Sequence, residues 1–200
     1  MGKETTPKID DVRVMEFCRE VAPASKCSYV QVITENTAIH RDCFNNVSKK
    51  IAVDGGSMQI GWTIWLRPNV LLNAECHAVW VNNENVMIDI TPQPDGEERI
   101  LFLPDDTIDS IEFRIPSKYK ALTKSSLVAE LVELLEARGK FLSKFKTADI
   151  MLNMTESEGM TNMVLSMRID EINIEIKRKV ERNDSCPCLS GMKYKKCCGT

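Results

Sequence analysis

The sequence predicts an α+β fold in which an antiparallel sheet packs on helices, followed by a helical segment and a small cysteine-rich tail. Three observations carry this. Five short segments of strand character follow one another between Met58 and Ile115, separated by turn residues. Helical apolar patterns flank that run on both sides. Four of the eight cysteines fall within the last fifteen residues.

Taken in order, IDDVRVMEFCREV (9–21) reads as a helix with Val12, Met15 and Phe17 turned inward. SYVQVI (28–33) has the composition of a strand. Asp42 is placed to cap a helix over CFNNVSKKIAV, with Phe44, Val47 and Ile51 on one face and Gly55-Gly56 ending it. The strands then run MQIGWTIWL (58–66), NVLLNAECHAVWV (69–81), VMIDIT (86–91), RILFL (99–103) and IEFRI (111–115). Arg67-Pro68-Asn69, Asn82-Asn83-Glu84-Asn85 and Pro92 interrupt them. Short connections imply an antiparallel meander, covered on one side by the helix over 43–53.

Beyond Pro116 the pattern turns helical. Ser125 can cap a helix whose stripe is Leu127, Leu131, Leu134 and Leu135, ended by Gly139. Thr155-x-x-Glu158 is a capping box for a longer helix. Its stripe of Met160, Met163, Val164, Met167, Ile172, Ile176 and Val180 reads as core rather than as a recognition surface. The division is 1–116 for the α+β domain, 117–182 for the helical segment and 183–200 for the tail.

Composition narrows the function. Net charge is −3, so the chain as a whole does not bind nucleic acid by charge. The end is basic: Lys177, Arg178, Lys179, Arg182, Lys193, Lys195 and Lys196 stand against Glu181 and Asp184. With only Tyr194 to stack on a base, that stretch is a poor nucleic-acid platform. No apolar run reaches the roughly twenty residues that span a bilayer. The opening MGKETTPKIDD is polar and has no signal-peptide pattern. A cytoplasmic, reducing environment is expected, where clustered cysteines bind metal more often than they form disulfides.

In the tail, Cys186-x-Cys188 and Cys197-Cys198 bracket eight residues containing a Ser190-Gly191 turn. Four thiolates fill a tetrahedral Zn²⁺ and leave no open position, as in a structural site. Nearby lysines offset the net negative charge of such a centre. Two disulfides across the hairpin are the alternative. The stretch resembles the SEC-C motif, the small zinc module of the translocase motor SecA and of many other bacterial proteins. Pro187, Ser190, Gly191, Lys193, Tyr194 and Lys195 fit beside the four cysteines. The resemblance implies one structural zinc on Cys186, Cys188, Cys197 and Cys198, and docking onto a protein or a ribosome.

A second constellation lies upstream. Cys43 follows the Asp42 cap, His77 sits mid-strand, and Asp89 falls in the next strand. A thiolate at a helix N-terminus is stabilised by free amides and the helix dipole. A histidine on a neighbouring strand can take its proton, and an aspartate beside it can orient the ring. This demands a register. A two-residue hairpin turn would aim Asp89 away from His77, whereas a loop over 82–84 sets them face to face. A loop over 83–85 makes them diagonal neighbours, with Asn85 in a left-handed bulge position. The alternatives are an ordinary buried thiol, a satisfied core histidine and an aspartate serving the turn before Pro92. A second metal on His40, Cys43, Cys76 and His77 is disfavoured, because adjacent strand residues point to opposite faces.

His77-Ala78-Val79-Trp80, then Ile88-Asp89-Ile90-Thr91-Pro92, resembles transglutaminase-like and papain-like cysteine proteins; Cys43, Gly55-Gly56 and Gly61-Trp62 fit their first half. The resemblance spans about residues 40–92. It implies Cys43 as nucleophile, His77 as general base and acid, and Asp89 as orienter. The Cys43 amide and Gln31 would serve an oxyanion hole, with Trp62, Trp65 and Trp80 walling a cleft. Two functions follow as expectations. One is a cysteine hydrolase or acyltransferase acting on an amide or isopeptide through a thioester. The other is an inactive relative of such enzymes, an adaptor docking through its zinc tail.

Overall fold

The computed structural model describes residues 4–93, 96–109, 111–149, 151–178, 183, 186 and 192–197. Among these are four α-helices, α1 (Val12–Val21), α2 (Cys43–Asp54), α3 (Ser126–Leu142) and α4 (Glu156–Arg178). There are six strands: β1 (Ser28–Val32), β2 (Ser57–Arg67), β3 (Leu71–Val81), β4 (Met87–Asp89), β5 (Arg99–Pro104) and β6 (Lys118–Ala121). The fold is mixed α+β, as the sequence predicts.

The sheet does not remain an open meander. Its order is β2-β5-β1-β4-β3-β6, and β2 also pairs with β3, which closes five strands into a barrel. β6 lies on the free edge of β3 through Leu71↔Ala121 to Ala74↔Lys118. One pair departs from the expected antiparallel pattern: β1 and β4 run parallel, with Gln31↔Ile88 and Val32↔Asp89. The helix α2 and the long β2–β3 hairpin intervene between those two strands, so a parallel crossover is topologically open to them.

The faces follow from the period of two. Odd-numbered Trp65 and Val79 point into the barrel with Val30, Ile100 and Phe102, and form its buried interior. Even-numbered Trp62, Ile64, Leu72 and Ala74 point outward beneath α1. Ala78 on the same outer face lies beneath α2, with Val47 and Ile90. Phe44, Val47 and Ile51 are the residues α2 turns to the barrel, as their spacing predicts. Gly55, at φ +74°, ends the helix with its amide on the Ile51 carbonyl.

Three expectations are corrected. In α1 the inward residues are Val14, Phe17, Cys18 and Val21, while Val12 and Met15 are exposed. The buried set fills i, i+3, i+4 and i+7, and Val12 and Met15 belong to a shorter, competing stripe. IEFRI (111–115) forms no strand beyond a single bridge of Phe113 to Lys146. With both edges of β2 and β5 already paired, its alternation finds no partner, and β6 takes the remaining edge of β3 instead. α3 runs through Gly139 to Leu142, and the small residue there accommodates Pro116.

α3 and α4 pack against each other and onto the β2–β3 turn through Val128, Leu131, Ile169 and Ile172 against Val70 and Leu71. The capping box forms as expected: Thr155 N–H donates to Glu158 Oε2 at 2.8 Å, and Glu158 N–H to Thr155 Oγ1 at 3.3 Å. The Met stripe is the fourth correction, and a large one. Met160, Met163, Val164 and Met167 are 53–60 % exposed. Only Ile169, Ile172 and Ile176 of this helix enter the packed cluster.

Candidate functional site

Cys43 occupies the first position of α2, on an approach held by two local devices. Arg41 takes a left-handed backbone conformation, φ +63°. Asp42 stands at the N-cap, although its carboxylate accepts from the Asn45 side chain at 2.7 Å instead of capping an amide. Asn46 is a buried brace. It accepts from the Ile39 amide and donates to the Ile39 carbonyl and to Thr91 Oγ1, at 3.0, 2.8 and 3.2 Å. α2 is thereby tied to the segment that follows Asp89.

The hairpin between β3 and β4 supplies the other two residues. Asn82 pairs with Val86, so the loop is 83–85, and Asn85 has φ +61°. Asn82 Oδ1 accepts from the amides of Glu84 and Val86, both at 2.9 Å, and fixes the bulge. The register Trp80↔Ile88 and Val81↔Met87 makes His77 and Asp89 diagonal neighbours on one face, the second of the two arrangements the trio permits. Opposite His77 stands Gly61, where a Cβ would lie 2.3 Å from the Leu103 carbonyl oxygen. The absence of a side chain there lets β5 approach beside the histidine.

The result is a buried trio. His77 Nε2 lies 3.1 Å from Asp89 Oδ1, and the Cys43 thiol is within hydrogen-bond reach of the same imidazole. The Nε2 contact is close but bent, without the linear geometry of a good hydrogen bond, so its attraction is chiefly electrostatic. Exposure is 7 % for Cys43, 8 % for His77 and 0 % for Asp89. Burial by itself lowers the pKa of His77; the negative charges of Cys43 and Asp89 override it and raise it well above the ordinary imidazole value. The Asp89 carboxylate is held on both oxygens: Oδ1 accepts from the Thr91 amide at 3.0 Å, and Oδ2 from Gln93 Nε2 at 2.6 Å.

Thr91, Gln93 and Asn46 were not legible as site residues. An Asp-x-Thr turn hints at the amide contact, but no spacing rule connects Asn46 to residue 91. Other expectations separate. Trp62 packs under α1, Trp65 fills the barrel, and Trp80 lies against α2 with its indole N–H on the Gly55 carbonyl. The three tryptophans therefore wall no common cleft. The exposed Gln31 lines a surface hollow with Thr5, Thr6 and Arg99, apart from Cys43. His40 is exposed, and among the described residues no cluster of three or more metal-ligand side chains forms around it. Burial, with the Cys43 charge second, pushes the Cys76 thiol up to about 12. Burial, with Cys27 beside it, pushes Cys18 up to about 12 as well.

In the tail, Cys186 is buried and its amide donates to the Met192 carbonyl at 2.8 Å. The Cys197 amide donates to Tyr194 at 3.1 Å, after a short 3-10 turn over Tyr194–Lys196. Cys188 and Cys198 lie outside the described residues.

Together these features define an α+β barrel protein with a cysteine-rich tail, and that tail matches the SEC-C motif: the family model covers residues 182–200. The protein translocase subunit SecA of Campylobacter fetus is 40 % identical over 76 residues, 37 % of this chain and 8 % of that protein. SecA of Syntrophobacter fumaroxidans is 82 % identical over 22 residues, 11 % of this chain and 3 % of that protein. The chain thus spans under a tenth of the length of these relatives. No solved structure matches the fold. Among the described residues no helix is long and apolar enough to cross a membrane.

Proposed function

We propose that this protein is a cysteine hydrolase or acyltransferase of transglutaminase-like or papain-like character, docked to a protein or ribosome through a zinc-holding SEC-C tail. The observation that carries the reading is the contact of one imidazole with both a thiol and a carboxylate. With Nε2 turned to Asp89, Nδ1 is the nitrogen left for the thiol. In the reaction, Cys43 Sγ bonds to the acyl carbon of an amide or isopeptide while His77 takes the thiol proton. The carbonyl π pair moves onto oxygen. It returns as the C–N bond breaks, and His77 delivers the proton to the leaving amine. Water or a second amine then resolves the thioester, giving an acid or a new amide. The Cys43 amide, unused by helical pairing at the first position of α2, is the donor for the oxyanion. Asp89, fixed by Thr91 and Gln93, stabilises the imidazolium.

For the tail, Cys186, Cys188, Cys197 and Cys198 would hold one structural zinc, which would organise the hairpin as a docking face. The buried Cys186, with its amide on the Met192 carbonyl, suits that donor set. The SEC-C match over residues 182–200 supports a docking role.

The test is alkylation by iodoacetamide at about pH 6, read by mass spectrometry. Cys43 is expected to label far faster than Cys18 or Cys76, and His77→Ala to abolish the difference. Equal, slow labelling of all three would overturn the enzymatic reading. It would favour the second one, an inactive member of this fold acting as an adaptor, for which the near-complete burial of Cys43 and His77 speaks.

A further inference from the structure

Cys18 and Cys27 take no part in the trio or the tail, and the fold brings them together. Cys18 lies in the last turn of α1, 4 % exposed, within the apolar cluster under that helix. Cys27 stands immediately before β1, half-buried, and packs against the same cluster. Their thiols are within hydrogen-bond reach of each other. Both are free thiols. A tight return makes the meeting possible. The Ala22 amide donates to the Cys18 carbonyl at 3.0 Å, and Pro23 stops the helix from continuing. The Ser25 amide then donates to the Ala22 carbonyl at 3.1 Å and turns the chain back to β1.

The two thiols are unequal. Cys27 is the one a small solute can reach. Cys18 is sealed; burial, with the Cys27 charge second, pushes its pKa up to about 12, so it keeps its proton until a partner sulfur is activated. An accessible thiol poised beside a second one that can resolve it is the arrangement of a reversible oxidation site.

We propose that Cys18 and Cys27 form a redox modification site that reduces a hydroperoxide and closes a reversible disulfide between α1 and the start of β1. The Cys27 thiolate attacks one peroxide oxygen. The S–O bond forms as the O–O bond breaks, and the departing alkoxide takes up the proton that Cys27 had released to solvent. Cys18 Sγ then bonds to the Cys27 sulfur of the resulting sulfenic acid; the S–O bond breaks, and hydroxide leaves as water with the Cys18 proton. Two thiols and one hydroperoxide give one disulfide, one alcohol and one water. Exchange with a small dithiol reverses it. The disulfide staples α1 over Trp62, Ile64 and Leu72, the barrel residues it covers. This inference is independent of any chemistry at Cys43.

Hydrogen peroxide added to the folded full chain, supplied with zinc, tests it. Remaining thiols are blocked with iodoacetamide and the chain is digested without reduction. Trypsin cuts after Arg13, Arg19, Lys26 and Arg41, so the cross-link joins peptide 14–19 to peptide 27–41. That linked pair is expected, with a melting temperature above that of the reduced protein, and dithiothreitol should reverse both. Cys27→Ser should leave Cys18 unoxidised, because peroxide enters at the accessible thiol. Cys18→Ala should leave Cys27 as a sulfenic acid that dimedone traps. Cys27 oxidised to a sulfinic acid while Cys18 stays reduced overturns the proposal. So does a Cys27 cross-link to Cys76 or to a tail cysteine, or a linked pair that forms only after unfolding in denaturant.

Discussion

The buried trio and the cysteine tail are two opposite ways of bringing reactive side chains together. The tail draws all its thiols from residues 186–198, a single short stretch of sequence. The trio takes one residue each from α2, β3 and β4. A set so local has almost no apolar surface of its own to bury, so in our proposal its order comes from the metal. The trio is held by the barrel: by Val47, Ala78 and Ile90 around Cys43, by the β3–β4 register, and by the Asn46 brace to Thr91. The lesson is that the two should fail independently, one with its ligand and the other with the fold.

The sharpest attempt to break that contrast is metal removal. Structural zinc in comparable modules binds with about 10–16 kcal/mol. Purified protein is expected to carry a single equivalent, released by a thiol-modifying reagent in parallel with loss of the tail's ordered signals. Thermal unfolding of the barrel should be unchanged; a barrel that melts with the zinc would mean the two regions are one cooperative unit. Protein purified under reducing conditions without metal would refute the ligand assignment itself.

The converse experiment is next in size. Asp89→Ala leaves a buried imidazolium without its carboxylate and also strips acceptors from Thr91 and Gln93. A destabilisation of about 3–5 kcal/mol in denaturant titration is expected, with zinc content untouched. Asp89→Asn should cost clearly less, because it keeps most of the acceptor geometry.

The pH dependence of stability sharpens the point. His77 binds its proton more tightly folded than unfolded. Its contribution is therefore complete below the unfolded value of about 6.5 and is lost as pH rises through the higher folded value. Melting temperatures should fall across that window, and His77→Gln should flatten the slope. A wild-type profile that rises with pH there would contradict the ion-paired arrangement. The smallest effect belongs to the element leading into the tail: Thr155→Ala removes half of the capping box and should cost about 1 kcal/mol. Hydrogen exchange should show this as faster opening of the first turn of α4, with β3 and β4 unchanged.

Much of this was legible beforehand where neighbours in sequence are neighbours in space. The capping box, the Gly55 helix end, the inward face of α2 and the SEC-C tail depend on residues a few positions apart, and each was readable. Even the diagonal placement of His77 and Asp89 was among the two registers that an odd-numbered loop allows. α1 misled because two apolar stripes competed, and the buried one was decided by what lay beneath it. IEFRI misled because alternation describes a strand but cannot reserve it a partner.

By itself the sequence determined the local periods, caps and turns, the SEC-C pattern of the cysteine tail and the identity of the side chains able to form a trio. Only the tertiary structure decided that β2 pairs with β3 and β5 to close a barrel, that β1 and β4 run parallel, and that Cys43 reaches His77. It alone decided that α4 turns Ile169, Ile172 and Ile176 inward and its methionines out. Those outcomes rest on contacts between distant segments, whose free energy depends on which surfaces remain unpaired once the barrel has formed, and no window of neighbouring residues contains that information.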